Sequence, residues 1–380
     1  MKVNTYQILY KQIQKYLYKL YIFRNSREET IQRMIHGLLE AANSINYLES
    51  YSKTADLLHL KLKQIDDIKI VEDIANEILY KRVSKILRRR DIKKVWLLFD
   101  ETHNSVYSKE LAKKNFVSGY KKDKGATGSI LFLTASLNIE LNNTAINLVF
   151  ATHLCRFNCF DKKKFIIDTI LKAKELIKKE FVVLADKGFE SYEIIYALQQ
   201  CNVKYIIPKR KNKSIKALIE TSIGMHKLLG YVKQGFQKKY FTEYVAVVKS
   251  NRGQNDFKKK KNKTNYDDYY VYSTNIFNLN VLNKYYRKRW NIETTFREIK
   301  DTAWLKTKSK NPIIRMFYFA LNVIIYNTLT IIKFCGSFKS KSEVFREIIN
   351  TIYFLKIASS LDTILNTPKL RSNINILLDA

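Results

Sequence analysis

Four residues near the three-quarter point of the chain, Tyr286, Arg289, Glu293 and Lys300, stand at spacings of three, four and seven. At roughly 100° per residue, a helix spanning them places all four within an arc of about 60°. Ile292, Phe296 and Ile299 form an adjoining apolar stripe by which that helix can dock. A carboxylate flanked by two cations and a phenol suits a divalent cation and a phosphate. Taken alone, the segment reads more readily as a solvated charged face.

Two aspartates upstream could complete a metal site. Val95 to Phe99 are five consecutive apolar residues, the pattern of a strand buried on both faces, and that strand is expected to end at Asp100. A second short apolar run, FVVLAD, ends at Asp186, with Gly188 supplying the turn after it. An aspartate at a strand end also caps turns, so neither is diagnostic singly. With Glu293 they form a set of hard oxygen donors of the kind Mg²⁺ or Mn²⁺ prefers, and phosphoryl transfer on DNA calls for two such ions. Asp100, Asp186 and Glu293 are therefore the candidate catalytic and metal-binding acids. Among rival acids, alternation sends Glu101 to the other side of its strand, and Glu298 lies about 140° around the helix from Glu293. Asp301, roughly 80° away, is the second choice. His103 is open to two readings, an aid to a metal or phosphate, or a polar loop residue.

The elements that must position these acids follow from hydrophobic patterning. After the Val95–Phe99 run, Ser129 to Leu137 and Thr144 to Leu154 read as strands joined by a hairpin turn. A helix over Lys162 to Lys179, the FVVLAD strand, a helix over Tyr192 to Gln200 and a strand over Val203 to Ile207 complete the series, and Pro208 ends it. Strand, strand, strand, helix, strand, helix, strand is the order of the ribonuclease H-like α/β fold, a hairpin-built sheet edge followed by crossovers to parallel strands. Residues 92–208 are then the first part of a catalytic core. Residues 209–280 are a β insertion with strands at Tyr240–Val248 and Tyr269–Thr274 around a loop carrying Arg252, Lys258, Lys259, Lys260, Lys261 and Lys263. Residues 281–335 return to the core with the helix that holds the third acid, and the apolar Ile313–Ile332 helix is expected to cover a face of the sheet.

Residues 1–91 read as a helical N-terminal domain, and 336–380 as a helical C-terminal region suited to packing on the core or on a second subunit. Ser44 to Leu62 fits a helix-turn-helix without the glycine often found at its turn. The KRVSKILRRR segment, Lys81 to Arg90, reads either as a phosphate-tracking helix end or as a solvated linker.

With 380 residues and 46% hydrophobic content the chain can bury a large core, which excludes disorder throughout. Its 68 basic against 35 acidic residues give a net charge of +33, so a polyanion is the expected partner. The cations are spread along the chain rather than gathered on one amphipathic helix, which favours nucleic acid over a membrane surface. Abundant Lys, Asn, Ile and Tyr fit an AT-rich genome, so part of the charge is compositional. Four scattered cysteines offer neither a disulfide framework nor a zinc spacing, and no signal peptide is evident at the N-terminus, so a cytoplasmic setting is expected. The uncharged run Met316 to Ile332 is short for a membrane span and contains Asn322 and Asn327, so a buried helix is expected there.

The pattern Y-x2-R-x3-E-x6-K, read by Tyr286, Arg289, Glu293 and Lys300 and preceded by LLFDETH and VLADKGF around the two aspartates, resembles that of DDE transposases of prokaryotic insertion elements, the insertion sequence 4 family. The resemblance covers about residues 92–335. It implies a metal-dependent DNA transposase that cleaves at the element's terminal inverted repeats, passes through a hairpin and joins the freed 3′ end to target DNA, acting as a homodimer on paired ends in a prokaryotic cytoplasm. It also implies that Tyr286, Arg289 and Lys300 contact phosphates of the terminal DNA. Trp290, near this face, either stacks on an extruded base or packs in the core. A structure-specific nuclease and a domesticated, non-catalytic DNA-binding protein are the alternatives on the same fold.

Overall fold

The computed structural model describes residues 4–44, 54–89, 91–113, 116–118, 123–141, 144–155, 159–234, 236–250, 265–336 and 338–365. The chain divides into two compact units, Ala75–Arg297 on one side and Met1–Ile74 with Glu298–Ala380 on the other. The N-terminal helices and the C-terminal region, read separately from the sequence, thus fall into one unit.

That helical unit begins with α1 (Thr5–Lys19), α2 (Glu28–Ser44) and α3 (Thr54–Leu62). The turn of the expected helix-turn-helix lies outside the described residues, as do Arg90 and the cationic loop of the insertion. α4 (Ile68–Leu87) crosses the boundary between the units.

The other unit is built on one mixed sheet: β1 (Ile92–Val106), β2 (Val117–Ser118), β3 (Gly128–Leu141), β4 (Ala145–Leu154), β5 (Phe181–Ala185), β6 (Lys204–Pro208), β7 (Gly224–Gln234), β8 (Gln237–Lys249) and β9 (Tyr269–Thr274). The order is β2-β3-β1-β5-β6-β9-β8-β7, with β4 also paired to β3. β1 runs antiparallel to β3 and parallel to β5, and β5 runs parallel to β6. Helix α5 (Cys159–Leu176) leads from β4 into β5, and α6 (Tyr192–Gln200) makes the crossover from β5 to β6. Val95 to Phe99 are buried, as the unbroken apolar run requires of a strand covered on both faces.

Two expectations about this sheet need correction. β1 does not stop at Asp100 but continues to Val106, because β3 goes on offering an antiparallel ladder from Asp100↔Thr134 to Val106↔Gly128. The insertion also holds three strands rather than two. The missed strand, β7, pairs with β8 through all eleven of its residues, and β9 joins β6, so the insertion extends the central sheet. Helix α7 (Lys213–Thr221) packs Ile215 and Ile219 on Val245, Val247 and Val271 of these strands.

The chain then forms α8 (Leu279–Arg287) and α9 (Trp290–Thr302), where a single helix was expected over Tyr286–Lys300. The break is a tight turn: Lys288 N–H donates to Tyr285, Arg289 to Tyr286 and Asn291 to Lys288, each three residues back. Neighbouring side chains hold it. Tyr285 meets Trp96 edge-on, and Lys288 lies over the Trp96 ring while binding Glu140.

Back in the helical unit, α10 (Pro312–Cys335) is capped by Asn311, which accepts from Ile313 and Ile314, and α11 (Lys341–Leu365) follows. α10 is long and apolar enough to cross a membrane, but 83% of its most apolar window is buried within the protein. It packs on α1, where Tyr16 stacks on Phe317. Asn322, which interrupts the apolar run, is buried and exchanges two hydrogen bonds with the Leu305 backbone, so its amide fixes the chain leaving α9.

Candidate active site

β1 and β5 are in parallel register, with Phe99 opposite Ala185. The next residue on each is an aspartate, so Asp100 and Asp186 emerge side by side. Here β5 ends: Asp186 caps a short 3₁₀ turn, Lys187–Phe189, by accepting from the Lys187 N–H at 2.7 Å. Capping a turn and facing a site are thus compatible for this residue. Beneath the pair, Phe99 and Phe189 are buried with ring centroids 6.3 Å apart, and Phe165 meets Phe99 edge-on. Each aspartate is therefore next to, or three residues from, a phenylalanine fixed in the core.

Glu293 arrives on the first turn of α9. Its carboxylate accepts from the Arg289 guanidinium, an i, i+4 pair in which Arg289 is almost entirely buried and Glu293 is 41% exposed. The turn between α8 and α9 brings Arg289 back over the Tyr286 ring, 5.7 Å from its centre, and Tyr286 in turn packs against Tyr272. Arg289 Nε is buried and has no hydrogen-bond partner.

The charges at this point act on one another. Burial pushes the Asp100 carboxyl up to about 7, and the nearby charges of Asp186 and Glu293 push the same way, against a hydrogen bond from the Glu101 backbone and the Arg289 charge. Burial also raises the Tyr286 phenol, with Arg289 opposing and Asp186 and Glu293 reinforcing, so it keeps its proton at neutral pH. Arg289 is held in its charged form: burial works against the charge, but Tyr286, Asp186 and Glu293 together outweigh it. Asp100, Asp186, Glu293, Arg289 and Tyr286 thus form one electrostatic cluster, drawn from β1, the end of β5, α8 and α9.

Lys300 lies seven residues beyond Glu293 on α9, hence on the same face of that helix, and is half-buried. Trp290 is 58% exposed, which excludes the core-packing reading. Of the rival acids, Glu298 binds Tyr326 and Lys341, and Asp301 is exposed. Glu101 does face away from Asp100, toward Lys162, and His103 hydrogen-bonds Ser129 at 3.0 Å.

The donor chemistry fits a hard divalent cation: three carboxylates, two of which, Asp186 and Glu293, act by their charge on Asp100. Among the described residues, however, no three His, Cys, Asp or Glu side chains stand grouped as a ready cage. Glu293 is instead engaged by Arg289. Asp100, Asp186 and Glu293 are the carboxylates here whose chemistry could hold such an ion, and of them Glu293 is paired with Arg289.

A second surface escaped the sequence reading. On one face of the β7–β8 ribbon, Tyr231 lies opposite Tyr240 and Lys233 opposite Lys238, with exposed Leu229 and Lys227 following. The Tyr231 and Tyr240 rings are 6.2 Å apart, and Lys238 lies over Tyr231. No acid alternates onto this face; Glu243, on the other side, is fully buried and holds Lys209 at 2.7 Å. Alternation in KLLGYVK was the signal, blurred by adjacent Leu228 and Leu229 and by Gly230.

Residues 162–328 match the family described as the transposase DDE domain, a segment that includes Asp186 and Glu293 and begins after Asp100. The match supports a DDE transposase. A solved structure, the piggyBac transposase synaptic complex with hairpin DNA, is similar over 98% of this chain and 84% of its own, with a TM-score of 0.55 at 14% identity. At that identity the likeness shows the fold alone, a ribonuclease H-like α/β fold. No curated protein matches the chain.

Proposed function

We propose that this protein is a DNA transposase of the insertion sequence 4 family, cutting and joining the ends of an insertion element by phosphoryl transfer. The observation that carries the reading is the parallel β1–β5 pairing that brings Asp100 and Asp186 out side by side, with Glu293 on α9 near enough for its charge to act on Asp100. Two Mg²⁺ or Mn²⁺ ions held there would supply Lewis acidity at the attacking and leaving oxygens. The chain's own residues do the rest. Buried, charged Arg289, with Nε unpartnered, presents a planar fork to a phosphate of the DNA end. Tyr286, kept protonated, offers a neutral donor beside it, and Lys300 a point charge further along α9. Exposed Trp290 stands next to Arg289 and is suited to stacking on a base that leaves the duplex as a hairpin forms.

The partners are terminal inverted repeats and target DNA, engaged by a homodimer that pairs two ends in the cytoplasm of a prokaryote, at the nucleoid. A net charge of +33 and the lysine–tyrosine face of β7–β8 support a nucleic-acid partner. The piggyBac complex was solved with hairpin DNA, which supports the same intermediate here.

Labelled element ends, a target plasmid and Mg²⁺ test the proposal. Joined product and a hairpin intermediate are expected, and both disappear in Glu293→Gln with end binding retained. Cleavage without joining would make the protein a nuclease, and binding alone an architectural protein.

A further inference from the structure

We infer that Lys162 and Glu101 are positioning residues that clamp the two strand ends carrying Asp100 and Asp186 at a fixed separation. The inference rests on reading those aspartates as cation-holding acids.

Glu101 follows Asp100 on β1 and points to the opposite side of the strand, where its carboxylate binds the Lys162 ammonium. Lys162 also donates to the carbonyl of Gly188 at 3.1 Å and lies over the Phe189 ring, 5.0 Å from its centre. Gly188 and Phe189 belong to the turn that Asp186 caps. One ammonium therefore ties the residue after Asp100 to the turn after Asp186. Both partners are enclosed, with side chains only 19% and 20% exposed, so the pair is screened far less than a surface ion pair.

Two features set this contact apart from general stabilisation. Lys162 lies near the N-terminus of α5, where the helix dipole disfavours a cation, so local helix energetics do not account for it. A Cβ at Gly188 would stand 2.8 Å from the Glu101 carboxylate, so an alanine there would make that carboxylate shift from its place against Lys162. The clamp also has a force to resist. Asp100 and Asp186 are neighbouring like charges, and beyond Ala185 no β1–β5 ladder holds them together. The buried Phe99 and Phe189 rings anchor the same two segments from within the core, leaving the ionic contact to set their spacing at the surface.

The test is Mn²⁺ binding to the full chain, followed by electron paramagnetic resonance, alongside cleavage kinetics on element ends. Lys162→Ala and Glu101→Gln should weaken Mn²⁺ binding about tenfold, the size of effect typical of residues that orient ligands. They should lower kcat while leaving KM for DNA unchanged. Lys162→Arg should recover most of the affinity, and the swap Glu101→Lys with Lys162→Glu should exceed either single change. Gly188→Ala, which removes no charge, should weaken Mn²⁺ binding in the same direction and keeps the test open if Lys162→Ala fails to fold. Wild-type Mn²⁺ binding in Gly188→Ala and folded Lys162→Ala, with Asp186→Asn losing it, overturns the clamp and leaves the acids in place. Mn²⁺ binding that is indifferent to Asp100→Asn and Asp186→Asn overturns both.

Discussion

The Arg289 guanidinium grips Glu293 from four residues away, across the turn that separates two helices, and the same arginine is buried against Tyr286. Arg289 therefore engages one of the carboxylates proposed to hold the cation, and its buried Nε is left without a hydrogen-bond partner.

Removing it should separate those two roles. Arg289→Ala frees Glu293, so Mn²⁺ binding without DNA should strengthen severalfold, by relief of competition for one carboxylate. Hairpin yield should fall at least tenfold, because the variant cannot make a charge-assisted hydrogen bond to the phosphate. Calorimetry and denaturing gels read the two effects, and weaker Mn²⁺ binding in the variant would contradict the competition.

Asp100 makes the site sensitive to pH. Its folded value of about 7 lies above the ordinary 3.8, so the folded state holds an extra proton between about pH 4 and 7. Stability supplied by that proton is lost as pH rises through the window. Asp100→Asn should therefore be more stable than the parent by about 1–3 kcal/mol at pH 8 in EDTA, with the gain shrinking toward pH 4. Thermal melts across that range check it, and a gain independent of pH would contradict it.

The same proton competes with a cation for the carboxylate. Mn²⁺ affinity should rise by about tenfold per pH unit below 7 and flatten above it. A flat profile from pH 5.5 to 8.5 would place the raised carboxyl outside the cation site.

Trp290 is exposed, so its loss should cost the fold little. Trp290→Ala should change stability by no more than about 0.5 kcal/mol while reducing affinity for a hairpin end by roughly 5–100-fold, the range for one stacked base. Equal binding of hairpin and blunt ends by the variant and its parent would remove Trp290 from base contact.

The β7–β8 face should contribute sequence-independent affinity. Lys233→Gln with Lys238→Gln should make the logarithmic salt dependence of DNA binding shallower by about 2, since each phosphate that a lysine neutralises adds close to one unit to the slope. Filter binding between 50 and 200 mM salt, approximate bounds for which such dependences are well resolved, provides the measurement. An unchanged slope would free this face from DNA.

Much of the arrangement is written locally. Five apolar residues before Asp100 require a strand buried on both faces, and FVVLA before Asp186 requires another, so both strands of the β1–β5 pair were legible from hydrophobicity, and their parallel pairing from the order of the elements. That Glu293 stands on a helix was legible from spacing, although that helix starts only at Trp290. Local pattern does not carry partner geometry, which is where the sequence reading fell short. β1 runs past Asp100 because β3, some thirty residues later, extends its ladder. A helix predicted as continuous breaks at Lys288 and Arg289 because Trp96 and Glu140, on other strands, hold the side chains around the turn. The sequence by itself determined that buried strands lead into Asp100 and Asp186 and that Glu293 stands on a helix, because periodicity and burial act within a few residues. Only the tertiary structure decided that Arg289 is buried on Tyr286 and bound to Glu293, and that Glu101, set aside as an acid, meets Lys162 beneath the turn of Asp186, because those contacts join residues brought together by long-range pairing and packing.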